Sequence, residues 1–138
     1  MKEGITMESN TLAVARRYVD AVSAKDFAAV AGLFADDIVW HQPGDNAVSG
    51  THSGGAAVGE MFAAQMAATE GTFELQLTGD PMVNGALVAI PIHFSAKRAG
   101  NEMSMEGVDV LRVEGDKIAE VWLFSADQQA EDAFWGAG

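Results

Sequence analysis

The spacing of the apolar residues changes from helical to extended near Gly71, and this change constrains the fold more than any other feature. Before Gly71, apolar residues recur every three or four positions in three segments, which predicts helices. After Gly71 they alternate with polar residues, which predicts strands. Helices first and strands later indicate an α+β protein, in which three N-terminal helices pack against a curved antiparallel sheet and enclose a cone-shaped hollow.

Capping residues and turn residues set the expected boundaries of these elements. The predicted helices run from Ser9 or Asn10 to about Ala24, from Phe27 to Phe34, and from Gly54 or Gly55 through Ala68. A strand at 38–42 ends before Pro43-Gly44, and a polar, glycine-rich loop follows over 45–55. Four antiparallel strands are predicted at 72–77, 86–97, 102–113 and 117–124, and the tail from 126 to 135 is expected to pack back onto the body.

Length and composition indicate one domain at 9–138 after a flexible segment at 1–8, since 138 residues can bury a sizeable core. The net charge is −12, and such an acidic surface repels phosphate backbones and anionic membranes, so we expect neither nucleic acid nor membrane as a partner. Cysteine is absent, which excludes thiolate chemistry and favours the cytoplasm. No segment has the length of a signal peptide core or a membrane span.

One carboxylate, Asp109, lies in the middle of the predicted strand 102–113. Alternation places it on the same face as Met103, Met105 and Leu111, so it would share an apolar wall. An ionised carboxylate left unpaired among apolar side chains costs several kcal/mol, so such a group holds its proton, finds a partner or opens onto a ligand cavity. Alternatively, the sheet flares here and Asp109 meets water.

The predicted wall of the hollow is mostly apolar, and it suits a small hydrophobic ligand as well as an ordinary core. By alternation it consists of Ile90, Ile92, Phe94, Met103, Met105 and Leu111.

Several short stretches resemble the nuclear-transport-factor-2-like superfamily, in particular its branch of ketosteroid isomerases and SnoaL-like polyketide cyclases. They cover most of the chain and lie at Arg17-Tyr18-Val19-Asp20-Ala21-Val22, Ala24-Lys25-Asp26-Phe27, Leu33-Phe34-Ala35-Asp36-Asp37, Gln42-Pro43-Gly44 with Ser49-Gly50, Val108-Asp109-Val110-Leu111-Arg112 and Gly115-Asp116-Lys117-Ile118.

The resemblance implies roles for Tyr18 and Asp109. In ketosteroid isomerases, a tyrosine of the first helix and a protonated aspartic acid of a late strand donate hydrogen bonds to the substrate oxyanion, and Tyr18 and Asp109 match these positions. A second aspartate, before a proline, moves the proton in those enzymes. This chain has Gln42 before Pro43, and an amide cannot act as a base near neutral pH. From the residues alone, Tyr18 reads equally as a tyrosine at the edge of the core.

His41 is the nearest replacement for the missing base, because its reference pKa of about 6.5 suits acid-base work. Strict alternation turns it away from Trp40 and Gln42, so it reaches the hollow only where the strand twists or bulges; otherwise it is a surface residue. His93 is predicted on the outer face of the sheet and His52 in the loop. Three histidines this far apart do not form a metal site of ordinary spacing, and we expect no metal.

Trp122 and Phe124 alternate with Val121 and Leu123, so the aromatic pair faces either the substrate or the far side of the sheet. We favour the far side, where the two aromatic side chains would form the interface of a homodimer, as is common in the families that this chain resembles.

The predicted function is proton transfer through an enol or enolate, leading to isomerisation or cyclisation of a small hydrophobic carbonyl or polyketide-like substrate without a cofactor. Tyr18 and Asp109 would hold the developing charge, and His41 or ionised Asp109 would move the proton. The alternatives are epoxide opening, a non-catalytic protein that binds a hydrophobic small molecule, and a structural dimer. The predicted substrate-binding residues are Trp40, Gln42, Phe62, Ile92, Phe94, Met103 and Met105.

Overall fold

A computed structural model describes the backbone of residues 2–137 and the side chains of residues 7–137. The predicted flexible segment at 1–8 falls in part outside these residues and stays a prediction. The helices are α1 (Lys2–Ser23), α2 (Phe27–Leu33), α3 (Gly55–Thr69) and α4 (Gln128–Trp135). The strands are β1 (Phe34–Gln42), β2 (Gly50–Ser53), β3 (Glu74–Leu77), β4 (Met82–Asn84), β5 (Leu87–Arg98), β6 (Asn101–Glu114) and β7 (Lys117–Ser125).

The strands form one curved, open sheet in the order β2-β1-β7-β6-β5-β3, with β4 also paired to β5. The predicted α+β class is confirmed, but the sheet is mixed, because β1 runs parallel to β7. A parallel neighbour needs a long connection, and here the chain between β1 and β7 includes α3 and five other strands.

Five elements differ from the predicted boundaries. Strand β1 begins at Phe34, four residues before the predicted strand 38–42, and so takes the last residue of the second predicted helix. Strand β2 lies in the predicted loop 45–55, and β4 lies between the predicted strands 72–77 and 86–97.

Helix α1 begins at Lys2, before the predicted cap at Ser9 or Asn10. The tail folds into α4, whose first turn is capped by Asp127 Oδ1, the acceptor of a hydrogen bond from the backbone N–H of Ala130 at 3.0 Å.

The concave face of the sheet and the helices share one apolar core. Along β6 the odd-numbered residues from Met103 to Val113 are buried except Gly107, which is half-buried. Helix α1 adds Val14, Tyr18 and Val22, which recur every four residues on one face and are buried together. None of the helices in the described part of the chain is both long and apolar enough to cross a membrane.

Candidate active site

Asp109 lies near the middle of β6 and points into the concave side of the sheet. Its neighbours across the ladder are Ile90 on β5 and Leu123 on β7. Only 3% of its surface is exposed. The sheet does not flare here, and Asp109 shares a buried face of β6 with Met103, Met105 and Leu111, as alternation predicts.

Tyr18 reaches Asp109 from α1, 91 residues earlier in the chain. Its hydroxyl donates a hydrogen bond to Asp109 Oδ2 at 3.3 Å, and only 2% of the tyrosine is exposed. The other carboxyl oxygen, Oδ1, has no hydrogen-bonding partner among the side chains described. The structure therefore brings together the two residues that the sequence singled out, and leaves one oxygen of Asp109 open.

Burial dominates the electrostatics of this pair. Desolvation raises the pKa of Asp109 from its ordinary value of 3.8 to about 7; the hydrogen bond from Tyr18 lowers this pKa, and the negative charge of Glu131 raises it. Burial also raises the pKa of Tyr18 well above its ordinary value, helped by the nearby Asp109. Near neutral pH, Tyr18 keeps its proton and Asp109 populates both forms.

Asp109 opens onto a cavity of about 60 Å³ between the sheet and the helices. One water molecule needs ~10–15 Å³ by this measure, so the cavity has room for several. Five of the seven predicted substrate-binding residues line it, namely Trp40, Gln42, Phe62, Ile92 and Phe94.

Met103 and Met105 do not line this cavity, although both are buried on the predicted face. They stand opposite Ala96 and Phe94, towards the turn between β5 and β6. Two other residues of the predicted wall are likewise buried but do not line the cavity, namely Ile90 and Leu111. Alternation gave their face correctly but not their position along the cone.

Gln42 presents a fixed amide to the cavity. Its Oε1 accepts a hydrogen bond from the indole N–H of Trp40 at 2.9 Å, and only 5% of Gln42 is exposed. Among the described residues its Nε2 has no acceptor, so the amide N–H groups are free for a ligand. The indole thus fixes which end of the amide can act as a donor.

His41 lies on the opposite face of β1 and does not reach the cavity. Its Nε2 contacts Glu120 Oε2 at 2.7 Å, and its ring stacks on Trp122 at 5.5 Å between centroids. The hydrogen bond with His41 is the largest cause of the lowered pKa of Glu120. A bulge directly before Pro43 would have been needed to turn His41 inward, but the irregularity in β1 lies earlier, between Phe34 and Val39.

The other residues of uncertain orientation also lie away from the centre of the cavity. His93 is bonded to Glu106 and Ser104 on the outer face, and His52 contacts the backbone carbonyl of Val48. Trp122 faces outward, in register with His41. Phe124 is 57% exposed and borders the cavity only at its edge.

Glu131 is a second carboxylate in the cavity, and it was not predicted from the sequence. It lies on α4 and is 4% exposed. Its oxygens accept hydrogen bonds from Ser125 Oγ at 2.6 Å, Gln128 Nε2 at 3.1 Å and Trp135 Nε1 at 3.2 Å. The available signal was the capping residue Asp127 followed by Glu131 and Trp135 one helical turn apart, which predicts a short helix with both side chains on one face.

The loop after β1 holds α4 in place over the cavity. Asp132 Oδ1 accepts hydrogen bonds from the backbone N–H of Asp45 at 3.0 Å and from Asn46 Nδ2 at 2.8 Å. Both hydrogen bonds lower the pKa of Asp132, and the one from Asn46 has the largest effect. Gly44 has a φ of +88°, and a β-carbon there would collide with the side chains of Asp132 and Gln128.

The donor set of the site suits acid-base chemistry rather than metal binding. Among the residues that the structure describes, no three histidine, aspartate or glutamate side chains are grouped so as to hold a metal ion. The polar groups at the cavity are two carboxyls, a phenol, a serine hydroxyl and the amides of Gln42 and Gln65. The carboxyls can donate and accept protons, the other groups can make hydrogen bonds, and the apolar walls strengthen each such interaction.

Comparison with known proteins defines the class. The family model described as a SnoaL-like domain matches residues 15–121. The chain therefore belongs to the SnoaL-like family, and its fold is the predicted nuclear-transport-factor-2-like, or cystatin-like, fold.

Two curated relatives and one solved structure that are similar to this chain have no assigned activity. Uncharacterised proteins of Mycobacterium tuberculosis and Mycobacterium bovis are 29% identical over 126 residues, which cover 90% of this chain and 95% of each relative. A solved protein of unknown function from Xanthomonas campestris is 44% identical, with a TM-score of 0.88 over 91% of this chain and 98% of its own. A Kribbella flavida protein whose name proposes a ketosteroid isomerase is 21% identical, with a TM-score of 0.66 over 86% and 78% of the two chains, and this likeness shows the fold alone.

Proposed function

We propose that this protein is an enzyme that transfers a proton on a small, largely apolar carbonyl compound through an enol or enolate, and so isomerises or cyclises it. The observation that carries the proposal is the buried Asp109, whose Oδ2 is held by Tyr18 while the residue opens onto an apolar cavity. Membership of the SnoaL-like family supports it.

Asp109 takes the role of the proton-transferring group. A general acid or base works best when its pKa lies near the operating pH, and burial raises the pKa of Asp109 to about 7. The ionised carboxylate removes a proton from the carbon next to the carbonyl group, and the resulting acid returns it at another position. Tyr18 orients the carboxyl group by its hydrogen bond to Oδ2.

Gln42 takes the role of a donor to the carbonyl oxygen. Because Trp40 holds Oε1, the amide N–H groups of Gln42 are directed elsewhere, and the side chain lines the cavity. A fixed donor in a site that excludes water stabilises an oxyanion by roughly 3–4 kcal/mol. Gln42 occupies the position that carries the base in ketosteroid isomerases, and here it would bind the carbonyl oxygen of the substrate. Asp109 would then act as the base.

The test follows deuterium exchange at the α-carbon of 2-tetralone in deuterated buffer by NMR, which detects enolisation whatever the natural product is. We expect the protein to accelerate exchange, and Asp109→Asn to reduce the rate by about a hundredfold or more. His41→Asn is the matched control, because His41 lies outside the cavity, and it should retain the rate. Undiminished exchange in the Asp109 variant would refute the proposal.

The second candidate is a non-catalytic protein that binds a hydrophobic small molecule, and the amide of Gln42 before Pro43 favours it. Such a protein would bind 2-tetralone and accelerate exchange in no variant. For either function we propose a homodimer through the outer face of the sheet, because this face exposes 57% of Phe124 and 39% of Leu87.

A further inference from the structure

Two carboxyl groups line the cavity without a positive charge to match them. Asp109 and Glu131 are 3% and 4% exposed. The lining residues in the described part of the chain include no lysine, arginine or histidine. A buried negative charge without a cationic partner is destabilising. A bound ligand could supply the cation that the described residues do not place in the cavity.

The hydrogen bonds of Glu131 satisfy its carboxylate only in part. Its three partners, Ser125, Gln128 and Trp135, are neutral donors, and they leave its charge uncompensated. A carboxylate offers about four acceptor positions, of which three are used. One position on Glu131 is therefore left for a donor in the cavity.

Gln65 is a separate indication that the cavity receives a polar ligand group. It lies on α3, is 7% exposed and lines the cavity. Its side-chain amide has no hydrogen bond to any other described group, although it is not sealed from the cavity space. Because the unbonded amide atoms of Gln65 keep some accessible surface, its carbonyl oxygen can accept a hydrogen bond from an N–H group of a ligand.

The aromatic walls suit a cation as well. Trp40 and Phe62 meet edge to face, 5.0 Å between centroids, and Phe94 and Trp135 line the same cavity. Aromatic faces attract organic cations, most strongly where water is excluded.

From the unmatched carboxyl groups, the free amide of Gln65 and the aromatic walls, we propose that the cavity selects an organic molecule with an apolar body and a protonated amine. The ammonium N–H groups bind Glu131 and the Gln65 oxygen, and the apolar body packs between the aromatic side chains. This inference names the substrate class of the proposed enzyme and so rests on that function: the substrate is a carbonyl compound that also carries the amine.

The same arrangement rejects anions. A carboxylate ligand would be desolvated beside Glu131 with no cation to meet it, and like charges in a poorly screened site repel strongly. A neutral alcohol of the same shape would keep the apolar contacts but lose the charge pairing. Selectivity between matched ligands therefore separates this proposal from simple hydrophobic binding.

The experiment measures binding of benzylamine, benzyl alcohol and benzoate to the full-length protein by calorimetry near neutral pH. We expect benzylamine to bind about tenfold more tightly than benzyl alcohol, and benzoate more weakly than either. Glu131→Gln should remove the preference for the amine and leave the affinity for the alcohol. Glu120→Gln is the matched control on the outer face, and it should retain the preference.

Equal affinities for amine and alcohol in the unmodified protein, or a preference for benzoate, would overturn the proposal. So would a Glu131→Gln protein that loses both ligands equally, because Glu131 would then act only in holding α4. Gln65→Met is a second variant on another helix, and it should weaken amine binding selectively. Amine preference without exchange of 2-tetralone would contradict the enzyme and leave only the amine selectivity of the cavity standing; exchange without the preference would do the reverse.

Discussion

Ionisation of Asp109 should make the folded protein lose stability as the pH rises, and Asp109→Asn should remove that dependence. The pKa of this group is about 7 in the folded protein and 3.8 when unperturbed. Between these values the unfolded chain has released a proton that the native state still holds, so the free energy of unfolding falls with increasing pH. The stability that depends on protonated Asp109 is fully present below the lower pKa and is lost above the higher one.

The size of the effect follows from the two pKa values. A difference of one in pKa equals about 1.4 kcal/mol, so the complete loss is about 4 kcal/mol. At about pH 5 the free energy of unfolding has already fallen by nearly 2 kcal/mol, and at about pH 8 it has fallen by about 4 kcal/mol. The two conditions therefore differ by roughly 2–3 kcal/mol. The conversion applies because Asp109 is 3% exposed.

Urea unfolding of the unmodified protein and of Asp109→Asn at both pH values measures this contribution. Other ionisable groups are common to the two proteins, so their effects cancel in the difference between the two free energies of unfolding. We expect that difference to shift by roughly 2–3 kcal/mol in favour of the variant at the higher pH. A difference that does not change with pH would refute the reasoning, because Asp109 would then have an ordinary pKa.

Three further changes test neighbouring parts of the structure. Tyr18→Phe removes a hydrogen bond that lowers the pKa of Asp109, so a carbon NMR titration should find this pKa raised, and an unchanged value would contradict the contact. Gly44→Ala should destabilise the protein by about 1–3 kcal/mol in urea unfolding, because a β-carbon strains the loop against α4; unchanged stability and unchanged amide exchange in α4 would argue against that packing. Phe124→Ser should turn a dimer into a monomer in sedimentation, whereas a monomeric unmodified protein would refute the outer-face interface.

The fold was largely predictable because the spacing of apolar residues reports which faces are buried. The long strands β5 and β6 alternate over 12 and 14 residues, enough for the pattern to be read. Strands β2 and β4 have four and three residues, too few for any periodicity. The parallel pairing of β1 with β7 was missed, because alternation is the same for both strand directions.

The candidate site was predictable where burial on one strand decided it. Alternation placed Asp109 on the concave face, and the resemblance supplied Tyr18 as its partner. Glu131 was missed because its burial depends on where an eight-residue helix docks, which local spacing does not specify. Alternation placed His41 on the outer face, where Glu120 and Trp122 hold it; the sequence could not decide whether a bulge would turn it into the cavity.

Stability and ligand recognition oppose each other at the two carboxyl groups. A neutral residue of similar volume at 109 would avoid the roughly 4 kcal/mol lost when Asp109 ionises, yet the chain places an acid there and adds a second one on α4. Glu131 also accepts hydrogen bonds from Ser125 and Trp135. The carboxylate that brings negative charge to the cavity therefore also helps to hold α4 over it. A ligand cation would reduce the cost of both buried charges, because it pairs the charge of Glu131 and favours the ionised form of Asp109. Binding should therefore lower the pKa of Asp109 and prepare it to act as a base.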